Sequence, residues 1–146
     1  MKRNIVLADD DLDDCMLFED AINEISHDIK LIVANNGNAL MSTLEGTVPP
    51  PPFAIFLDLN MPGKNGFECL KEIRLNPKFE SIPVVIFSTS KNENAIDETY
   101  SLGANYYMIK PSSFSMLKEV IRKLLSIDAE VLRIRPSRDQ YYVSLN

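Results

Sequence analysis

Residues 53–66 read FAIFLDLNMPGKNG, and this stretch decides how the rest of the chain is interpreted. Five apolar residues end at Asp58, and a loop punctuated by Pro and Gly follows at once. A continuous apolar run is typical of a parallel strand buried on both faces. In an open α/β sheet the ligand crevice lies at the carboxyl ends of such strands. Asp58 is therefore predicted to lie where such sheets carry out chemistry, although a strand-end aspartate is also a common turn or capping residue.

The composition predicts a single soluble domain. The chain has 146 residues, of which 45% are hydrophobic, enough for one compact core. Its formal net charge of -6 argues against nucleic-acid binding, which needs a high density of basic residues. No apolar run approaches the ~20 residues that span a bilayer, and no signal peptide is apparent, so we expect a cytoplasmic protein without membrane contact. Cys15 and Cys69 are not in metal-ligand spacing, and free thiols in a reducing compartment are expected.

Apolar runs and helical periodicity alternate along the chain. The predicted strands are 3–8, 29–34, 53–57, 83–87 and 105–109, and the predicted helices are 12–25, 38–45, 67–76, 93–102 and 114–127. This alternation predicts an α/β fold, with a parallel sheet covered by helices on both faces. The first, third and fourth strands are apolar throughout, whereas the second and fifth are mixed and suit the edges. We therefore predict a flavodoxin-like (βα)5 doubly wound sheet with strand order 2-1-3-4-5.

Chemically active side chains follow four of the predicted strands. They are Asp9 and Asp10 after the first strand, Asp58 after the third, Ser88 at the end of the fourth and Lys110 after the fifth. The predicted order brings the first and third strands side by side, so three carboxylates would share one crevice and repel one another. A hard divalent cation relieves this repulsion, and Mg²⁺ takes one or two carboxylates together with a phosphate. Each residue also has a structural interpretation, because acids and Ser88 can cap helices and Lys110 can be a solvated strand-end residue.

A phosphoryl acceptor site would use these groups together. A carboxylate can attack phosphorus as a nucleophile and form an aspartyl phosphate. Phosphoryl transfer requires mainly positioning and charge neutralisation, which Mg²⁺ and Lys110 would supply while Ser88 donates a hydrogen bond. Asp11 adds a third acid after the first strand, and we expect it to cap the first helix rather than bind metal.

These residues carry a resemblance to a known family. Asp9-Asp10, the Asp-x-x-Met-Pro-x-x-x-Gly sequence of residues 58–66, Ser88 and Lys110-Pro111 together resemble the response-regulator receiver domain of two-component signalling, over about residues 2–127. The resemblance implies that Asp58 accepts a phosphoryl group from the phosphohistidine of a histidine kinase. It also implies a protein that switches a binding surface and is not a turnover enzyme.

The resemblance further implies a role for each site residue. Asp10 would bind Mg²⁺ directly, Asp9 through a water molecule, and the backbone carbonyl of Asn60 would be a third protein ligand. Ser88 would be the switch hydroxyl and Tyr107 the switch aromatic residue. The peptide bond before Pro111 would be cis. The switch surface would comprise the fifth strand and the helix at 93–102, whose thin apolar face predicts loose packing.

Long loops resemble those of the stand-alone regulators that partner bacterial phytochrome-type histidine kinases. The expected partners are a sensor histidine kinase, for which this resemblance implies the phytochrome type, and a downstream protein or phosphotransfer protein. We expect a receiver domain at 1–127 and a C-terminal extension at 128–146, either a tail or a dimer arm, with no DNA-binding output domain. Both a monomer and a homodimer are compatible with the sequence.

Two other functions compete with this one. An enzyme of the haloacid-dehalogenase type also forms an aspartyl phosphate, but it needs a second acid two residues after the nucleophile. That position holds Asn60, which argues against such an enzyme. The alternative is a phosphorylation-independent protein-interaction module on the same fold, and the complete set of acids, Ser88 and Lys110 argues against it.

Overall fold

A computed structural model describes residues 3–143 as thirteen helices and strands. The strands are β1 (Arg3–Ala8), β2 (Ile29–Ala34), β3 (Ala54–Leu57), β4 (Val84–Ser88), β5 (Tyr106–Ile109) and β6 (Tyr142–Val143). The helices are α1 (Leu12–Ile25), α2 (Gly37–Thr47), α3 (Gly66–Leu75), α4 (Glu93–Ser101), α5 (Phe114–Leu125), α6 (Ala129–Leu132) and α7 (Arg138–Tyr141). The ten predicted elements are all present, and every predicted end lies within two residues of the observed one.

The strands form one parallel sheet in the order β2-β1-β3-β4-β5-β6. The predicted order of the first five strands is confirmed. The sixth strand was not predicted, and β5 is therefore an inner strand rather than an edge. In β6, Tyr142 pairs with Tyr107, and Val143 pairs with Met108.

Apolar side chains project from both faces of the sheet and form two hydrophobic cores, one on each face. On one face Ile55 and Ile86 pack with residues of α2, α3 and α4. On the other face Phe56 and Phe87 pack with residues of α1 and α5. Phe18 of α1 meets both of these rings edge to face, with ring centroids 5.0 and 5.4 Å apart. Every residue of β3 and β4 is buried, as the unbroken apolar runs predict.

Residues 128–143, named here the C-terminal strap, pack on the face formed by α4 and β5. Tyr141 is fully buried, and its hydroxyl lies 2.7 Å from the hydroxyl of Thr99 on α4. The Tyr100 hydroxyl donates to the carbonyl oxygen of Pro136, and Arg138 forms an ion pair with Asp97. The predicted boundary at residue 127 stays a prediction, and residues 144–146 of the predicted extension lie outside the described residues.

Arg74 of α3 links this strap to the sheet through neutral acceptors. Its guanidinium donates to the carbonyl oxygens of Ile82 and Gly103 and to the side-chain oxygen of Asn105. The amide nitrogen of Asn105 in turn donates to the carbonyl oxygen of Leu132 in the strap. Burial lowers the pKa of Arg74 to about 10, and the charge of Arg135 adds to this effect.

Two predictions about composition can be compared with this structure. Cys15 and Cys69 are free and buried, and burial raises the pKa of each thiol to about 11, so both are protonated and unreactive near neutral pH. Between residues 3 and 143, no helix is long and apolar enough to cross a membrane.

Candidate phosphoryl-acceptor site

The carboxyl ends of β1 and β3 bring Asp9 and Asp58 to the same edge of the sheet. The backbone ladder continues one residue beyond these strands, because the Asp9 amide donates to the Ala34 carbonyl and the Asp58 amide donates to the Ala8 carbonyl. Asp9 and Asp58 each directly follow a buried strand, so both carboxylates lie at the carboxyl edge of the sheet, where the crevice of such a sheet is found. This placement follows directly from the predicted strand order.

Three of the predicted ligands form one cluster. Asp9, Asp10 and Asp58 offer carboxylate oxygens that all lie within 4.8 Å of one another. Asp9 is fully buried and Asp58 is 5% exposed, whereas Asp10 is exposed. The Oδ1 atom of Asp9 accepts a hydrogen bond from the Asp11 amide, but its buried Oδ2 atom has no hydrogen-bond partner among residues 3–143.

The electrostatics of Asp58 show how crowded this cluster is. Burial raises the pKa of Asp58 from 3.8 to about 6; the ammonium of Lys110 opposes the rise and the charge of Asp9 adds to it. The Asn60 amide lies 3.5 Å from the Oδ1 atom of Asp58 and also favours the charged form. Without a cation, the site therefore disfavours the charged carboxylate.

Lys110 is the cation that this structure supplies to the cluster. Its Nζ atom lies 2.8 Å from Oδ2 of Asp9, 2.8 Å from Oδ2 of Asp14 and 3.6 Å from Oδ2 of Asp58. Burial by itself lowers the pKa of Lys110, but the hydrogen bond to Asp14 and the charges of Asp9 and Asp58 outweigh it and hold the pKa above the usual range. The expectation of a cis bond before Pro111 is wrong, since the cis bonds among the described residues precede Pro49 and Pro50.

The two predicted switch residues lie on the neighbouring strands β4 and β5, Ser88 as the last residue of β4 and Tyr107 within β5. Ser88 is fully buried, and its hydroxyl oxygen accepts a hydrogen bond from the Ser90 amide. Tyr107 is also fully buried, and its hydroxyl donates to the carbonyl oxygen of Ser90 at 2.8 Å. Both side chains are therefore tied to the same loop residue. The ring of Tyr107 also meets the ring of Tyr141 at 6.2 Å between centroids.

The loop after Asp58 folds back onto the start of α3. The amide of Gly66 donates to the carbonyl of Leu59, and a Cβ atom at Gly66 would lie 2.4 Å from the carbonyl oxygen of Asp58. Only a glycine permits this approach. Asn65 and Glu68 form a capping box that starts the helix at this point. The motif glycine therefore fixes the backbone of the candidate acceptor.

Asp11 and Asp14 do not belong to the carboxylate cluster of Asp9, Asp10 and Asp58. Asp11 is the N-cap of α1, and its side chain accepts from the amides of Asp13 and Asp14, as expected of a capping acid. Asp14 was missed by sequence reasoning, because an acid in the first turn of a helix is sufficiently explained by the helix dipole. The sequence carries no separate signal for its role, because its contact with Lys110 joins residues that are 96 positions apart.

The residues present fit a hard divalent cation. The buried Oδ2 atom of Asp9 is in ion-pair contact with Lys110 but makes no hydrogen bond, and two further carboxylates lie beside it; oxygen ligands of this kind are what Mg²⁺ or Mn²⁺ prefers. Asp9, Asp10 and Asp58 would hold the ion, and the Asn60 carbonyl is the additional ligand predicted from the sequence. Such an ion would neutralise the charge that the cluster concentrates.

Comparison with known proteins settles the family. Residues 5–122 match the family described as the response regulator receiver domain. The chain belongs to this family. Receiver domains are signalling proteins of two-component systems.

Two similar regulators are matched over most of their length. Response regulator Rcp1 of Synechocystis sp. is 34% identical over 134 residues, which are 89% of this chain and 91% of that protein. A crystal structure of the Mn²⁺-bound form of Rcp1 superposes with a TM-score of 0.75 over 86% of this chain and 93% of that chain. The phosphorylated cyanobacterial phytochrome response regulator RcpA is 31% identical, with a TM-score of 0.78 over 85% and 91% of the two chains. This receiver domain is thus similar to regulators of phytochrome systems.

Proposed function

We propose that Asp58 is the phosphoryl acceptor of this receiver domain, and that Asp9, Asp10, Asp58 and the backbone carbonyl of Asn60 bind Mg²⁺ beside it. The observation that carries the proposal is the cluster of three carboxylates at the carboxyl edge of the sheet, two of which, Asp9 and Asp58, face Lys110. The Mn²⁺-bound form of Rcp1 supports a divalent cation in a similar protein. The phosphorylated form of RcpA supports phosphoryl acceptance in another.

The donor in this proposal is the phosphohistidine of a sensor histidine kinase. A carboxylate oxygen of Asp58 attacks the phosphorus atom, a phosphorus–oxygen bond forms, the phosphorus–nitrogen bond breaks, and the imidazole leaves with the electron pair. The bound cation supplies positive charge to the phosphoryl oxygens. Lys110 pairs with another of these oxygens, and the Ser88 hydroxyl donates a hydrogen bond to the group. This chain thus contributes the nucleophile and the positioning of charge.

The switch that we propose uses Ser88 and Tyr107. The phosphoryl group adds negative charge and acceptor oxygens at Asp58, toward which the Ser88 hydroxyl moves. The Ser90 amide now donates to that hydroxyl, and the Ser90 carbonyl accepts from Tyr107, so movement of Ser88 disturbs the anchor of the tyrosine. Tyr107 then changes its packing against α4 and the C-terminal strap, which shifts the population of two existing states.

The partners are also proposed from similarity. Phytochrome regulators among the similar proteins support a phytochrome-type histidine kinase as the donor. The proposed output is binding of a downstream protein or transfer to a phosphotransfer protein. The monomer or homodimer state and the cytoplasmic location stay predictions.

Incubation with Mg²⁺ and acetyl phosphate, followed by intact mass measurement, tests the acceptor. We expect one added phosphoryl group on the wild-type protein and none on Asp58→Asn. Asp20→Asn, which changes an exposed acid elsewhere on α1, is the matched control and should be modified like the wild type. Wild-type protein that gains no mass would contradict phosphoryl acceptance, and an Asp58→Asn variant that gains mass would show that another residue is the acceptor.

A further inference from the structure

Asp14 contacts the lysine of the site from outside the carboxylate cluster. The Nζ atom of Lys110 donates a hydrogen bond to Oδ2 of Asp14 at 2.8 Å. Asp14 lies in the first turn of α1, and the N-cap side chain of Asp11 binds its amide and so fixes that turn. The Asp14 side chain is one-third exposed, whereas the Lys110 side chain is largely buried. A rim carboxylate on a fixed helix turn thus reaches into the crevice.

The three carboxylates around the ammonium group are not equivalent. The contact with Asp14 has hydrogen-bond geometry, whereas the contact with Oδ2 of Asp9 is equally short but lacks the angles of a hydrogen bond. Oδ2 of Asp58, at 3.6 Å, is beyond hydrogen-bond distance. The ammonium group is therefore directed by Asp14, while it remains close to the candidate acceptor.

A cation in the cluster would change two of these contacts and leave the third. Asp9 and Asp58 would share their negative charge with the ion, and their attraction for Lys110 would weaken. Asp14 does not belong to the group of carboxylates that can reach one ion. The attraction between Asp14 and Lys110 would persist. The long, flexible side chain of Lys110 would therefore stay more ordered than it would without this one fixed partner.

We propose that Asp14 is a positioning residue for phosphoryl transfer, because it holds the ammonium group of Lys110 in the crevice beside Asp58 after the cation binds. The remaining ammonium hydrogens are then available to the oxygens of the incoming phosphoryl group. This inference rests on the proposed function of Asp58 and Lys110. It assigns to Asp14 a task that helix capping and the helix dipole do not require.

The experiment compares Asp14→Asn with Asp13→Asn. Each variant removes one negative charge from the first turn of α1, but Asp13 is exposed and only Asp14 bonds to Lys110. The initial rate of phosphorylation by acetyl phosphate is measured by intact mass over a range of Mg²⁺ concentrations. Thermal unfolding midpoints of both variants show whether either loses stability.

We expect the maximal rate of Asp14→Asn at saturating Mg²⁺ to fall on the order of tenfold, the effect of losing one charge-assisted hydrogen bond in the transition state. Asp13→Asn should stay within about twofold of the wild type. Asp14→Glu, which keeps the carboxylate, should regain most of the rate, because the flexible lysine can follow a carboxylate one methylene farther out.

Three results would overturn the proposal. Saturating Mg²⁺ that restores the wild-type rate to Asp14→Asn would show that its charge only attracts the cation. An equal loss of rate in Asp13→Asn would show a general charge effect, and a folded Asp14→Glu as slow as Asp14→Asn would show that Lys110 is not positioned by this carboxylate. Wild-type protein that accepts no phosphoryl group would instead contradict the underlying function, so the two failures are distinguishable.

Discussion

At the scale of single residues, the site is a balance between carboxylates and one ammonium group. Asp9, Asp10 and Asp58 concentrate negative charge at a buried sheet edge, and Lys110 offsets part of it. The raised pKa of Asp58 is the measurable consequence, since burial and Asp9 together outweigh Lys110. Buried carboxylates that repel one another lower the stability of the folded protein when no cation is bound between them. This cost should appear in the stability of the metal-free protein.

We expect metal-free Asp58→Asn to be more stable than the wild type at pH 7, by about 3 kcal/mol. A carboxyl whose pKa rises to about 6 on folding binds more protons in the folded state, so it lowers stability as the pH rises from about 4 through 6. The difference between the two proteins should therefore vanish near pH 4. Urea unfolding in the presence of a chelator, measured from pH 4 to 7, checks this. A wild type as stable as the variant at pH 7 would contradict it.

At the scale of elements, α4 depends on the C-terminal strap. Ile96 and Thr99 are the buried residues of α4, as its thin apolar face predicts. The strap supplements this face through Tyr141, whose ring packs 5.0 Å from the ring of Tyr100. Tyr107 meets Tyr141 from the sheet side, so the candidate switch residue, α4 and the strap share one cluster.

Phosphorylation should increase amide hydrogen exchange in α4 and in residues 128–143 of the wild-type protein. The physical reason is that a changed position of Tyr107 removes the packing that it gives to Tyr141. In Tyr107→Ala the protein should still accept phosphate, but the increase should be absent. Tyr106→Ala, which changes the neighbouring tyrosine packed on the opposite face of the sheet, is the control and should respond like the wild type. An unchanged response in Tyr107→Ala would contradict the proposed switch.

The sequence predicts some of these elements better than others, for physical reasons. Unbroken apolar runs and helical periodicity identify β3, β4 and α5, because their burial is a local property of the sequence. The strand β6 consists of Tyr142 and Val143, and two residues carry no periodicity, so its pairing with β5 depends on tertiary contacts alone. Asp14 and Arg74 were missed similarly, since a first-turn acid and a last-turn base are ordinary in helices.

At the scale of the whole molecule, the site exists only in the folded chain. Three segments that are distant in sequence meet in it, namely residues 9–14 between β1 and the first turn of α1, the end of β3 and the end of β5. The unfolded chain cannot hold these carboxylates within 4.8 Å of one another. A cation that binds the cluster therefore binds the folded state selectively, and the free energy of binding adds to the free energy of unfolding.

Mg²⁺ should raise the thermal unfolding midpoint of the wild-type protein. At a concentration one hundred times the dissociation constant, the gain is about 2.7 kcal/mol, or about 5 to 10 °C for a domain of this size. Asp9→Asn, which replaces the buried ligand, should show a much smaller shift. Asp20→Asn controls for the loss of one charge. A wild-type midpoint that is insensitive to Mg²⁺ would contradict the metal site.

The intrinsic tyrosine fluorescence of this protein reports on the packing of the strap against α4 and β5. The chain contains no tryptophan and five tyrosines. All five lie on α4, β5, α7 or β6, at positions 100, 106, 107, 141 and 142. Intrinsic emission excited in the near ultraviolet therefore originates entirely from this one region, with no indole to mask it. A change in the packing of the strap on β5 would alter the tyrosine fluorescence intensity of the unlabelled protein. Movements around α2 would leave this intensity unchanged.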